Sequence, residues 1–140
     1  MFDHCLYFNT TALARLLDKE WTAAFAPFEL TPPQGFLLRL VLDQPGRSQR
    51  ELAEAMTISR PTATRVLDGL ERRTLIVRRA SDHDAREQRI HPTAEAEAIH
   101  AGLNAASGNV TRRLKQLLGA QRFEQTVGKL REIRTAIRAS

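Results

Sequence analysis

The chain has 140 residues, of which 21 are basic and 16 acidic, giving a net charge of +5; 42% are hydrophobic and 26% charged. That length argues for one domain, and that mix belongs to a folded chain able to bury a core without disulfides or a metal. The single cysteine, Cys5, excludes an intrachain disulfide and suits a reducing compartment. The apolar runs are too short to span a membrane, and Met1-Phe2-Asp3-His4 lacks the basic start of a signal peptide, so the expected location is the cytoplasm.

From Ala12 to Phe28, apolar residues at Leu13, Leu17, Trp21, Phe25 and Phe28 keep a helical spacing that Pro27 ends or kinks. Thr31-Pro32-Pro33-Gln34 reads as a helix start, with Thr31 as N-cap, Pro32 in the first helical position and Gln34 closing a capping box. That helix carries Phe36, Leu37, Leu40 and Val41 and stops at Asp43-Gln44-Pro45-Gly46. A second capping box, Ser48 to Glu51, opens a short helix over 49–56. After a turn at 57–59, Ser59 caps a helix through Val66, Leu67 and Leu70 to about Arg73. Leu75 to Arg79 reads as a strand, 80–87 as a charged turn, and Gln88 to Pro92 as the returning strand. Thr93 caps a long helical stretch that Gly102 and Gly108 weaken, that Val110, Leu114, Leu117 and Leu118 continue, and that Gly119 closes. A last helix carries one apolar stripe: Phe123, Val127, Leu130, Ile133 and Ile137.

Lys19, Lys115 and Lys129 are the only lysines, so eighteen of the basic residues are arginines. Ten of these lie between Arg47 and His91 against seven acids, so a net +3 of the +5 sits in a third of the chain. Arginine forks suit phosphate oxygens and guanine edges, which makes nucleic acid the first partner to test. Helix, short helix, turn, helix and two-stranded ribbon is also the order of a winged helix-turn-helix, whose second helix enters the major groove. The expected fold is therefore mainly α with a small β-wing: a winged helix-turn-helix lobe at 31–93, flanked by helices at 1–30 and 94–140, all in one domain over 1–140.

The segments LTPPQGFLLRLVL (30–42) and SQRELAEAMTISRPTATRVLDGLERRTLIVRRASDHDAREQRIHPT (48–93), above all Asp84-Ala85-Arg86 between two strands, resemble the MarR-type transcriptional regulators. The resemblance implies that Asp84 orients Arg86 at the wing tip for the minor groove, and that Ser59, Arg60, Thr62, Thr64 and Arg65 read bases. It also implies a homodimer, flanking helices that build its interface, and a pseudo-palindromic DNA operator. Departures are Thr74 where many members have Gly, Pro92-Thr93 for Leu-Thr, and Ala96 for Gly. Pro92 removes a backbone donor and is expected to shorten the second wing strand.

Candidate phosphate contacts are Ser48, Gln49, Arg72, Arg78 and Arg79, with Arg73 beside them. Repression, relieved by a small-molecule ligand or an oxidant, is what the resemblance implies for function. Trp21, Phe25, Phe28 and Phe36 are candidates for an effector pocket, although their plainer role is core packing, and Cys5 is a candidate thiol sensor. The four histidines lack metal-ligand spacing, and no catalytic arrangement or phosphate loop is visible, so neither a metal, a cofactor nor an enzyme is expected. The rival reading is a winged-helix module that binds protein instead of DNA.

Overall fold

A computed structural model describes residues 1–140. In chain order it contains α1 (Leu6–Phe25), a 3₁₀ turn (Ala26–Phe28), α2 (Pro32–Asp43), β1 (Arg47–Ser48), α3 (Gln49–Met56), α4 (Arg60–Arg72), β2 (Ile76–Ala80), β3 (Gln88–Pro92), α5 (Ala94–Leu118) and α6 (Ala120–Ala139). It is a mainly helical fold with one small antiparallel sheet, as expected of a winged helix-turn-helix. No helix is long and apolar enough to cross a membrane.

The helix starts follow the capping chemistry. Both capping boxes form: Thr31 with Gln34 at α2, and Ser48 with Glu51 at α3. Ser59 and Thr93 cap α4 and α5 through Thr62 N–H and Ala96 N–H. Each bond satisfies one of the donors that a helix leaves open at its first turn.

The start of the first helix and the number of strands differ from the sequence expectation. Helix α1 begins at Leu6, before the apolar repeat, because Cys5 supplies an N-cap: its Sγ accepts from Phe8 N–H at 3.5 Å. Pro27 ends it, leaving one 3₁₀ turn. The sheet has three strands in the order β1-β3-β2, and β1, only two residues long, carries no periodicity that a sequence pattern can register.

Pro92 does not shorten β3, which spans five residues like β2 and pairs Pro92 with Ile76. The proline stands at the strand's last position, and the next backbone bond is made by Thr93 N–H to Leu75 O at 3.1 Å. An absent donor at a strand end removes nothing that the ladder needs.

The core gathers Phe25, Leu37, Leu38, Val41, Leu52, Leu67, Leu70, Ile76, Ile90 and Leu103, so α2, α3, α4 and the sheet close over one another with α5 against them. Two glycines admit rings. A Cβ on Gly35 would lie 2.4 Å from the Phe25 ring, and one on Gly102 would lie 3.0 Å from Phe28. Gly102 therefore lets Phe28 dock on α5, which runs unbroken through both of its internal glycines.

Candidate nucleic-acid interface

Helix α4 is amphipathic: Ala63, Leu67 and Leu70 face the core, while Ser59, Arg60 and Arg65 are exposed. At its N-terminus the polar groups form a chain. Ser59 Oγ donates to Thr62 Oγ1 at 2.9 Å, and Arg65 Nη2 donates to the same oxygen at 3.4 Å. Thr64 is committed differently: its hydroxyl accepts from Gln49 Nε2 at 2.6 Å and donates to Arg60 O at 3.0 Å. That bond ties α3 to α4 and leaves the Thr64 methyl as its free feature.

The wing tip carries the expected pair. Asp84 Oδ1 accepts from the Arg86 backbone N–H at 2.9 Å and from its Nε at 3.4 Å, while the Arg86 side chain stays 94% exposed. A loop carboxylate thus aims an otherwise solvated guanidinium. Between the wing and the two helix starts lies a cleft of about 550 Å³, lined by Gln49, Arg50, Arg60 and residues Asp84 to Gln88. Arginines from α3, α4 and the wing converge on it.

The remaining arginines divide by their partners. Arg50, Arg60, Arg65, Arg72 and Arg79 make no ion pair. Arg78 is 14% exposed and bonds Asp68 at 2.8 Å and Glu71 at 3.1 Å, so it faces inward and not toward a phosphate. Arg73 caps the 3₁₀ turn by donating to the carbonyls of Phe28 and Glu29. Arg89 reaches Glu51 at 3.1 Å and Glu87 at 3.5 Å. Ser48 is buried and its hydroxyl is spent on Glu51. Arg50 was absent from the sequence expectation: Glu54 stands four residues on, at helical pairing distance, and only the structure shows that the two form no ion pair.

The Ser48 hydroxyl, chiefly, holds the Glu51 carboxyl below its ordinary value; the Ser48 amide and Arg89 act in the same direction, and burial opposes them.

The four aromatic residues expected at an effector pocket have separate fates. Phe25 is sealed against Gly35 and Phe28 presses on Gly102. Trp21 donates its indole N–H to Ser107. Phe36 reaches a crevice of about 520 Å³ shared with Arg39, Leu40, Asp43, Met56, His100 and Asn104. There the Arg39 guanidinium lies 5.3 Å from the Phe36 ring centroid and donates to Asn104 Oδ1 at 2.7 Å. Burial lowers the Arg39 pKa, and no carboxylate is within ion-pair distance. Cys5 is exposed.

The MarR family model matches residues 30–88. The fold is similar to that of the transcriptional repressor CouR bound to a 23-mer DNA duplex, at 29% identity and a TM-score of 0.88, over 95% of this chain and 94% of that one. CouR bound to p-coumaroyl-CoA matches at 28% identity and a TM-score of 0.85, again over 95% and 94% of the two chains. The PcaV transcriptional regulator from Streptomyces coelicolor, in complex with its natural ligand, shares the fold at 24% identity and a TM-score of 0.85, over 100% of this chain and 97% of that one. The winged lobe is thus similar to the MarR family over residues 30–88, and the whole chain is similar in fold to transcriptional regulators of that kind.

Proposed function

We propose that the chain is a sequence-specific, double-stranded-DNA-binding transcriptional regulator that works as a homodimeric repressor and is released by a small-molecule ligand. The observation that carries the reading is the convergence of Arg50, Arg60 and the Asp84-aimed Arg86 on one cleft. In this reading α4 enters the major groove, where Arg60 and Arg65 contact guanine edges, Ser59 and Thr62 contact bases or phosphates, and the Thr64 methyl meets thymine methyls. Arg86 enters the minor groove, and Arg50, Arg72 and Arg79 neutralise phosphates, with Gln49 holding α4 through Thr64.

The dimer is supported by where the apolar surface lies. All twelve exposed large hydrophobic side chains, from Met1 to Ile137, fall outside residues 31–93. Helix α6 buries nothing in the single chain although Val127, Leu130 and Ile137 lie along it. Contiguous exposed apolar surface marks an interface, so residues 1–30 and 94–140 form the dimerisation lobe. The crevice at Phe36 and Arg39 suits an aromatic ligand whose polar group meets the Arg39 guanidinium on the side away from Asp43, which lines the same crevice. A second candidate trigger is oxidation of Cys5, an exposed thiol at the start of α1.

Selection from a random duplex pool tests the reading. The expected product is a pseudo-palindrome with half-sites about 10 base pairs apart. A pool that shows no enrichment, together with no duplex binding at low salt, returns the protein to the rival class of protein-interaction modules. Light scattering that gives one chain's mass at micromolar concentration overturns the dimer, and mass spectrometry that finds no hydroperoxide adduct on Cys5 removes the thiol trigger.

A further inference from the structure

We propose that Arg78 is a positioning residue for DNA recognition: by gripping Asp68 and Glu71 it fixes the angle between α4 and the wing. The proposal rests on the DNA-binding reading above.

Strand alternation puts the Arg78 side chain on the same face of the sheet as Ile76 and, across the ladder, Ile90. Ile76 and Ile90 are both buried. Farther out the ribbon leaves the core, and residues 82–86 at the tip are exposed. At the place where the apolar face gives out, the chain has a guanidinium. It is only 14% exposed, with Nη2 2.8 Å from Asp68 and Nη1 3.1 Å from Glu71. Those two carboxylates stand three residues apart on α4, hence on neighbouring turns of one helix face. The Nε is buried without an acceptor, so the fork is oriented by the two carboxylates.

Beyond the short β1 pairing at Arg89 and Ile90 the ribbon has only two strands, and such a ribbon is marginally stable by itself, so its direction must be set by what holds its base. A planar fork bonded at two nitrogens to two points on a helix resists sliding and rotation together. Its contribution to stability is small, because Asp68 and Glu71 are 44% and 47% exposed and such pairs are screened. Geometry is the stronger return. Arg86, eight residues beyond Arg78, must reach the minor groove while α4 occupies the adjacent major groove, and a wing free to swing loses that simultaneous fit.

A mutant cycle on a duplex selected by the unchanged protein tests this. Arg86→Ala alone should weaken binding about tenfold. Arg78→Met should also weaken it about tenfold, with an unchanged far-UV spectrum. In the Arg78→Met background, Arg86→Ala should cost less than about twofold, because the wing is no longer in place to be lost. Should Arg78→Met compromise folding, the pair Asp68→Asn with Glu71→Gln neutralises the grip from the exposed side, and the same coupling is expected. Lysine at 78 should recover only part of the affinity, since it replaces a fork with a point charge. Binding within twofold of the unchanged protein, or a full Arg86 effect in either background, overturns the positioning role alone. Failure of the unchanged protein to bind any duplex overturns the DNA reading with it.

Discussion

The indole N–H of Trp21 and the Nη1 of Arg39 both donate to Ser107 Oγ, each at 3.0 Å, so one buried hydroxyl oxygen joins α1, α2 and α5. Arg39 belongs to the winged lobe and Trp21 to the flanking helices; Ser107 is the polar point where the two meet.

Ser107→Ala strands both donors. Leaving a part-buried donor without a partner costs about 1–3 kcal/mol, so the variant should unfold at lower denaturant concentration by that amount. Trp21→Phe removes one donor with its need for a partner, and should cost less than Ser107→Ala in the same chemical melt.

Thr74 adopts φ +57°, a conformation that a β-branched residue resists. Thr74→Gly should raise the unfolding free energy by about 1 kcal/mol, the lower end of the strain range. The gain is limited by loss of the Thr74 hydroxyl bond to Glu95 at 2.8 Å. A stability decrease in thermal or chemical melts would show that this bond outweighs the strain.

Gly35→Ala tests the opposite case, a close approach without strain. The added Cβ meets the Phe25 ring at 2.4 Å, where a fully buried ring cannot swing aside. Overpacking of this kind costs about 1–3 kcal/mol. Equilibrium unfolding should show it, and Phe25→Leu in the same background should recover part of the loss.

The lowered pKa of Glu51 makes an acid-side signature. A carboxyl lowered in the folded state contributes fully above its ordinary value of 4.5, and the contribution is lost as pH falls from there through the folded value. Glu51→Gln should therefore lower stability at neutral pH and give a flatter decline as pH falls below the ordinary carboxyl value of 4.5. Parallel acid limbs for the two proteins would remove Glu51 as the titrating group.

Arg50 and Arg60 should separate by what they touch. Arg50→Ala should weaken binding to all duplexes alike and reduce the slope of log affinity against log salt by about 0.9. Arg60→Ala should cost about 1–3 kcal/mol against the selected sequence and relax the preference at one position. An unchanged salt slope for Arg50→Ala would take that residue off the phosphate path.

Much of this protein was legible in its residues because the relevant forces are local. Thr31 with Gln34, Ser48 with Glu51, and Ser59 with Thr62 place helix starts through bonds three residues long, so their spacing alone marks them. Asp84 and Arg86 are legible for the same reason, since their contact closes within a turn. The arginines were readable as a group but not one by one. Arg72, Arg78 and Arg79 look alike in sequence, and only the packing of β2 against α4 turns Arg78 inward to two carboxylates while its neighbours stay free. The same limit applies to β1, which exists because the edge of β3 is there to pair with it. Phe25 and Phe28 are taken up by Gly35 and Gly102, while Phe36 reaches a crevice beside Arg39 that no sequence interval connects to Asn104. Short-range hydrogen bonds and helical periodicity determined the elements and their order. Which arginines are free to meet a phosphate was decided by contacts between residues distant in sequence, because a charge is committed by whatever the fold sets beside it.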